Sequence, residues 1–209
     1  MSRLLHLIAS PRPESYSTRV ANEFVASYRQ SHADDTVEVL DVFREEIPPF
    51  FAPAAKAKYA VMGGQEPKDE AQRAWTPVLK TIDHFKRFDK FVLSSAMWNF
   101  NIPYPLKQYI DVIVQPGLTF SYSPEKGYTG LVAGKPLMLI LARGGNYGPG
   151  DPTASYDFQE TYLRGIFGFI GFADIKTIYI QGTLQTKAEQ IEAATRDAIA
   201  AARKAAAEF

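Results

Sequence analysis

The sequence predicts an α/β fold, in which a doubly wound, five-stranded parallel sheet of strand order 2-1-3-4-5 lies between two layers of helices. Short apolar runs typical of strands buried on both faces alternate with segments whose apolar residues recur at helical spacing. The chain has 209 residues and is 46% hydrophobic, which is enough for a sizeable core. We therefore expect residues 1–209 to form a single domain.

The composition excludes several classes of protein. With 23 basic and 23 acidic residues the net charge is zero, which argues against a nucleic-acid-binding surface. The absence of cysteine removes disulfides, thiol catalysis and cysteine metal sites, and the three scattered histidines give no metal-binding spacing. No apolar run approaches the roughly 18 residues of a membrane span. We expect a soluble, cytoplasmic protein with no metal and no membrane partner.

The first strand is predicted at Arg3 to Ala9 and contains His6, which we interpret as a core or edge histidine. A hydroxyl-rich loop follows at 10–18, and a helix with apolar residues at helical spacing comes next. Ser15 or Ser17 can cap this helix. Free amides at a helix N-terminus, combined with hydroxyls, also suit a phosphate, so the loop is either an ordinary cap or a phosphate site.

Two phosphate-binding motifs are missing after the first strand. There is neither the G-x-G-x-x-G of a Rossmann dinucleotide site nor the G-x-x-x-x-G-K-[ST] of a P-loop. A pyrophosphate needs the close backbone approach that glycine permits, whereas serines suit a terminal phosphate monoester. The loop therefore favours a mononucleotide over a dinucleotide.

The middle of the chain holds two further strands and a long segment between them. The second strand is predicted at Thr36 to Val42, and residues 43–68 are expected to form a long irregular loop, either a functional lid or a surface excursion. A helix is predicted at Ala71 to Phe88, followed by the third strand at Phe88 to Leu93. That strand leads into 94–103, a stretch that presents Met, Trp, Asn and Phe before the next helix.

The remaining elements complete the alternating pattern. The predicted elements are a helix from Pro103 to about 115, a hairpin at Thr119–Tyr122 and Tyr128–Val132, a fourth strand at Pro136–Leu141, a helix at Tyr156–Phe169, a fifth strand at Ile175–Ile180 and a closing helix at Ala188–Ala207. A glycine-rich turn at 142–150 follows the fourth strand, and glycines there let backbone amides approach a ligand.

Three loops meet at one edge of this sheet, because the turns after strands one, three and four are neighbours in the predicted order. The serine loop suits a phosphate, while the other two suit a planar heterocycle with hydrogen-bonding groups on its rim. FMN meets both demands. Asn99 and the amides of Gly144 and Gly145 can hydrogen-bond the ring edge, and Trp98 and Phe100 either pack beside it or are core aromatics.

A bound flavin indicates redox chemistry at this edge. Because the dinucleotide motif is absent, we expect NADH or NADPH to bind briefly over the flavin. A shared open face implies ping-pong turnover, in which the oxidised nicotinamide leaves before an aromatic acceptor binds. The G-x-S-x-G elbow of α/β-hydrolases is absent, and Ser94, Ser95 and Ala96 occupy the position where a receiver domain carries its carboxylate.

Several motifs along the chain resemble the FMN-dependent NADH-azoreductase family, which are flavodoxin-like NAD(P)H–quinone oxidoreductases. The matching pieces are Ser10 with Ser15-Tyr16-Ser17, Met97-Trp98-Asn99-Phe100-Asn101, Leu106-Lys107-Gln108-Tyr109-Ile110-Asp111, Gly117-Leu118-Thr119-Phe120, Arg143-Gly144-Gly145 and Phe167-Gly168-Phe169-Ile170-Gly171. They run from the N-terminus to the fifth strand, so the resemblance covers essentially the whole chain.

The resemblance implies a set of site residues and a reaction. It implies that the phosphate is held by Ser10, Ser15, Ser17 and the amide of Tyr16, that the ring lies along Met97, Trp98, Asn99 and Phe100, and that its other edge is closed by Ala142, Arg143, Gly144 and Gly145. It also implies a homodimer with the flavin at the subunit interface and a substrate space lined by Phe100, Phe120 and Tyr128. The implied activities are two-electron reduction of quinones and cleavage of aromatic azo compounds to amines.

The chain departs from the family pattern in places, and two other functions stay open. Pro11-Arg12-Pro13 stiffens the phosphate loop, Ala142 replaces a small hydroxyl residue, and Trp98 stands where tyrosine is commoner. The first alternative is a flavodoxin-type electron carrier, although such carriers tend to present an acidic face to partners. The second is a regulatory protein that keeps the fold with an empty site.

Overall fold

The computed structural model describes all residues, 1–209, and has a five-stranded parallel sheet at its centre. Its strands are β1 (Arg3–Ala9), β2 (Thr36–Asp41), β3 (Lys90–Ala96), β6 (Leu137–Ala142) and β7 (Ile175–Ile180). A separate antiparallel hairpin is formed by β4 (Phe120–Ser123) and β5 (Gly127–Gly130). The sheet order is β2-β1-β3-β6-β7. With the hairpin set aside, this is the predicted order 2-1-3-4-5, so the predicted fold class is confirmed.

Helices cover both faces of the sheet. Successive strand residues point to opposite sides, so both faces carry apolar side chains that pack against helices. The helices are α1 (Tyr16–Ser31), α2 (Ala52–Met62), α3 (Asp69–Lys86), α4 (Tyr104–Ile113), α5 (Phe158–Ile170) and α6 (Ala188–Ala207), with a short 3₁₀ turn at Ala154–Tyr156. On one face Leu4 and Val92 pack against α1 and α6. On the other, Leu5 and Leu93 pack against α3, α4 and α5.

The prediction of a long irregular loop over 43–68 is wrong for residues 52–62, which form α2. The segment is rich in alanine, the best helix former, and Pro53 lies in the first turn, where a helix tolerates proline. Ala54 and Ala57 are buried. The preceding segment is held by the side-chain amide of Gln108, which donates to the carbonyl of Ile47 at 2.9 Å.

The third strand continues beyond its predicted end at Leu93 and includes Ser94 and Ser95, both fully buried. A strand interior accepts a serine when its hydroxyl finds a partner. Ser94 Oγ lies 3.0 Å from His6 Nε2, and Ser95 Oγ donates to the carbonyl of Ala96 at 3.0 Å. These hydroxyls, which the predicted boundary placed after the strand, therefore belong to the sheet. No helix of this chain combines the length and apolar character needed to span a membrane.

Candidate cofactor site at the carboxyl edge of the sheet

Three turns lie side by side at the carboxyl edge of the central strands. Ala9 at the end of β1 pairs with Ser95 of β3, and Ala96 pairs with Ala142 of β6. The amide of Met97 donates to the carbonyl of Ala142 at 2.8 Å, which extends the pairing into the turns. The register therefore brings together the serine loop, the 97–101 turn and the 143–147 turn, as the sequence predicted.

The serine loop leaves several donors at the start of α1 without partners in the protein. Ser10, Ser15 and Ser17 are all buried, and the Oγ atoms of Ser15 and Ser17 lie 3.0 Å apart. Ser15 occupies the N-cap position, but its side chain does not cap the helix. The amides of Tyr16 and Ser17 donate no hydrogen bond within the protein. Hydroxyls and free amides at the positive end of a helix suit an anion such as a phosphate.

The Met97–Asn101 segment forms a tight turn with strained backbone. Trp98 and Asn101 exchange two backbone hydrogen bonds, of 2.8 and 2.9 Å. The two residues between them have positive φ, +47° at Asn99 and +67° at Phe100, as in a type I′ turn. Asparagine adopts this conformation readily, whereas for a bulky residue such as Phe it is an outlier that marks functional sites. The amides of Asn99 and Phe100 have no protein partner.

Aromatic rings stand on both sides of this turn. Trp98 packs edge-on against Phe43, with ring centroids 5.7 Å apart. On the other side, Phe100 lies 5.1 Å from Tyr156. A groove of about 390 Å³ runs beside the turn and is lined by Trp98, Asn99, Asn101, Ile102, Tyr104, Lys107 and Tyr162. Exposed rings next to free amides suit a planar, hydrogen-bonding ligand.

The turn after β6 has occupied carbonyls and two free amides. The carbonyls of Arg143, Gly144 and Gly145 accept hydrogen bonds of 3.0–3.1 Å from the 182–184 loop. The amides of Gly144 and Gly145 donate to nothing within the protein. The loop after β7 therefore holds this turn from one side. A short row of amide donors remains available to acceptor atoms on the rim of a ligand.

The side chain of Arg143 is buried, only 2% exposed, and lies in a cluster of polar groups. Its Nη2 is 2.9 Å from Asp157 Oδ2, and its Nε donates to Gln159 Oε1 at 3.2 Å. Burial opposes ionisation of the neighbouring Glu160, but hydrogen bonds from Tyr179, Arg164 and Thr177 hold its pKa below the usual value. Sequence reasoning missed this cluster, because its members share no motif.

Phe120 and Tyr128 lie together on the hairpin, away from the 97–101 turn. Their ring centroids are 6.1 Å apart, and Phe169 of α5 packs against both. They border an open groove of about 900 Å³, which also includes Tyr59 and Met62 of α2. Phe100, the third predicted residue of the substrate pocket, packs within one chain against the rings of Tyr147 and Tyr156. The structure thus brings together two of the three predicted substrate-pocket residues.

Comparison with known proteins identifies the family. A family model described as flavodoxin-like fold matches residues 2–205. The chain belongs to this flavodoxin-like family. An FMN-dependent NADH:quinone oxidoreductase of Nitratidesulfovibrio vulgaris (strain DP4) is 44% identical over 211 residues, covering 100% of both chains.

Solved azoreductase structures resemble the whole chain. An azoreductase from Bacillus anthracis str. Sterne superposes with a TM-score of 0.92 at 31% identity and covers 100% of both chains. An FMN-dependent NADH-azoreductase from Bacillus anthracis str. Ames Ancestor, solved in complex with FMN, has a TM-score of 0.87 at 27% identity, with 99% of this chain and 100% of that chain covered. The resemblance stated from the sequence motifs is confirmed.

Proposed function

We propose that this chain is an FMN-dependent NADH:quinone oxidoreductase that also cleaves aromatic azo compounds to amines. The observation that carries the proposal is the convergence of three turns with free donors at one edge of the sheet, in a chain whose full-length relatives bear these names. The match over residues 2–205 supports our treating 1–209 as one domain. A cytoplasmic location is part of the proposal, because NADH is available there.

The free groups at the edge fit FMN in both chemistry and order. The hydroxyls of Ser10, Ser15 and Ser17, with the amide of Tyr16, are the groups that would hold the phosphate. Thr18 Oγ1 is a further buried hydroxyl without a partner at this helix end, which supports a missing ligand there. The buried donors here are neutral hydroxyls and amides at the positive end of the helix, and the one cation of the loop, Arg12, is exposed.

The other two turns fit the ring. The segment Met97 to Phe100 would lie along it, and the stretch Ala142 to Gly145 would close its other edge with the amides of Gly144 and Gly145. The side chain of Asn99 is exposed and adds an amide to the rim. When bound, FMN supplies the two-electron redox chemistry that the side chains lack. The protein binds the ring, orients it and leaves one side open.

The open side accounts for ping-pong turnover. Trp98 is 36% exposed and Phe100 45% exposed, so flat surfaces are available to a nicotinamide and then to an aromatic acceptor. Both reactants are planar rings, and stacking on exposed aromatic side chains suits each of them. Since one face serves both, the first product leaves before the second substrate binds. Quinones and azo compounds are the small aromatic acceptors that we propose.

We also propose a homodimer in which Phe100, Phe120 and Tyr128 line the substrate space. The hairpin and α2 border a groove rich in exposed rings, among them Tyr59 at 69% and Tyr128 at 65% exposure. An exposed apolar patch of this kind indicates an interaction site. A second subunit covering it would bring hairpin residues of one chain towards the flavin of the other.

An absorbance experiment tests the proposed function. Purified protein is supplied with FMN, freed of unbound flavin, reduced with NADH without oxygen and then mixed with a benzoquinone. We expect the flavin band to bleach with NADH and to return with the quinone. A retained band that ignores NADH would instead indicate an electron carrier, and the absence of retained flavin would contradict FMN binding altogether.

A further inference from the structure

We propose that Arg143 is a positioning residue, which acts through the Arg143–Asp157 ion pair to fix both of the turns that border the flavin ring. The inference rests on the proposed function only for the identity of the ligand. Arg143 was expected among the residues around the cofactor, but its guanidinium is buried at 2% exposure and its amide already donates to the carbonyl of Ile180 at 2.8 Å. Its side chain therefore acts on the site through its neighbours.

The guanidinium ties the β6 turn to two other elements. Its Nε donates to Gln159 Oε1 at 3.2 Å, and its Nη1 donates to Gln181 Oε1 at 3.4 Å. Its carbon lies 4.8 Å from the centre of the Tyr179 ring, a cation–π distance. Gln159 belongs to α5, whereas Tyr179 and Gln181 lie at the end of β7. A buried arginine with partners in several directions has little freedom to move.

Gln181 links the side chain of Arg143 to the glycine-rich turn after β6. The oxygen of Gln181 that accepts from Arg143 also accepts from the amide of Tyr147, at 3.1 Å. Tyr147 ends the turn whose free amides belong to Gly144 and Gly145. Arg143 begins the turn and Tyr147 ends it, so the hydrogen bonds of the Gln181 side chain connect the two ends of the turn. The positions of the two free amides are fixed between these anchors.

Asp157 links the side chain of Arg143 to the strained turn at 97–101. Asp157 Oδ2 lies 2.9 Å from Arg143 Nη2, while its Oδ1 caps α5 by accepting from the amide of Glu160 at 3.0 Å. The next amide in the chain, that of Phe158, donates to the carbonyl of Phe100 at 3.1 Å. Phe100 is the residue with φ +67°. The Arg143–Asp157 ion pair therefore fixes the first residues of α5. Those residues, through the amide of Phe158, stabilise the strained backbone of Phe100.

Lysine cannot replace Arg143 in this role. The planar guanidinium contacts Asp157, Gln159 and Gln181 in different directions, whereas an ammonium group is a single compact charge. Without the Asp157 carboxylate, the buried guanidinium keeps only the more distant carboxylate of Glu160, 3.6 Å from Nη2, which destabilises its surroundings. Without the Arg143–Asp157 ion pair, the amides of Gly144 and Gly145 are still present but are no longer held in fixed positions. Because these amides face the ring and not the phosphate, FMN and riboflavin should lose affinity equally.

The test measures flavin affinity of the apoprotein for three variants. Arg143→Lys keeps a positive charge but loses the planar guanidinium. Asp157→Asn keeps a cap acceptor for α5 but loses the ion pair with Arg143. Arg203→Met is the matched control, because Arg203 pairs with Glu23 at 2.7 Å and is itself 58% exposed. Arg203 lies on α6, donates to Glu23 of α1 and contacts neither flavin-bordering turn. Dissociation constants for FMN and riboflavin come from flavin fluorescence, and thermal melting reports whether each apoprotein is folded.

We expect Arg143→Lys and Asp157→Asn to raise both dissociation constants by about tenfold or more, and Arg203→Met to change them by no more than about twofold. If Arg143→Lys fails to fold, Asp157→Asn decides the matter. Folded variants with wild-type affinity, or an equal loss in Arg203→Met, would overturn the role of Arg143 and leave the proposed function intact. A wild-type apoprotein that binds neither flavin would overturn both.

Discussion

His6 and Ser94 share a buried hydrogen bond between two central strands of the sheet, with Nε2 and Oγ 3.0 Å apart. His6 is 1% exposed, and its Nδ1 has no partner in the protein. Burial lowers the pKa of His6 from 6.5 to about 4, because a charged imidazole is costly in an apolar interior. The core therefore contains a neutral histidine, and of the two predicted positions, core or edge, His6 takes the core.

This histidine makes the fold sensitive to acid. Since its pKa is lower in the folded state, the unfolded state binds more protons between pH 6.5 and about 4. The stabilisation is fully present above pH 6.5 and is lost as the pH falls towards 4. We expect His6 to account for a loss of up to about 3 kcal/mol across this range. Urea unfolding at a series of pH values measures it.

His6→Met is the matched control for this prediction, because it keeps an apolar side chain of similar length at the buried position. The other titrating groups are the same in both proteins, so the difference between the two pH profiles isolates His6. We expect the variant to lose less stability on acidification than the wild type. Parallel profiles would contradict a neutral buried His6.

The sheet and the meeting of its three turns could be predicted from sequence, because their signals are local. The boundaries of β1 and β7 and of the closing helix α6 agree with the prediction to the residue. Strand order then follows from the rules for parallel sheets, and it places the turns after β1, β3 and β6 at one edge. Many of the free donors at this edge are backbone amides, whose position depends on the fold more than on side-chain identity.

The contacts that stabilise the turns could not be predicted. Arg143 and Gln181 are 38 residues apart, and nothing in either segment marks the pairing. The helix α2 was missed for a different reason, since the prolines and glycines around it are typical of loops and outweighed its alanines. In both cases tertiary packing selected among local possibilities that the sequence left open.

The serine loop gives a prediction about the phosphate. Replacing both Ser15 and Ser17 with alanine removes two hydroxyls that lie 3.0 Å apart beside the free amides of α1. We expect FMN affinity to fall by about tenfold or more, since hydrogen bonds to charged groups contribute roughly 1.5–3 kcal/mol each. Riboflavin, which has no phosphate, should lose far less. Both are measured by fluorescence titration of the apoprotein, with Ser31→Ala, exposed at the other end of α1, as the control. Equal losses for the two flavins would exclude the loop as the phosphate site.

Asn99 gives a prediction about the ring edge. Asn99→Ala removes the side-chain amide and places alanine at φ +47°, whereas Asn99→Gly removes the amide without backbone strain. If the amide hydrogen-bonds the ring, both variants weaken FMN binding or shift its reduction potential, because that bond is lost in each. A defect in the alanine variant alone would instead assign the effect to the turn conformation. Affinity by titration and potential by equilibration with redox dyes distinguish the two.

The packing of the hairpin on α5 gives the last prediction. A Cβ at Gly130 would lie 2.3 Å from the carbonyl carbon of Ile170 and 2.4 Å from the amide nitrogen of Gly171. Backbone atoms cannot move aside as a flexible side chain does, so Gly130→Ala forces the hairpin away from the helix. We expect a stability loss of about 1–3 kcal/mol, typical of overpacking, measured by urea unfolding.

The same change should raise the KM for quinone, because the hairpin carries Phe120 and Tyr128. Gly165→Ala is the matched control: it lies within α5, and its added Cβ meets nothing within 4 Å. Glycine is unfavourable inside a helix, so this substitution should stabilise the protein by roughly 0.5–1 kcal/mol and leave the KM unchanged. A Gly130→Ala protein as stable as the wild type would show that the hairpin can leave α5 without cost, and an unchanged KM would separate the hairpin from the substrate space.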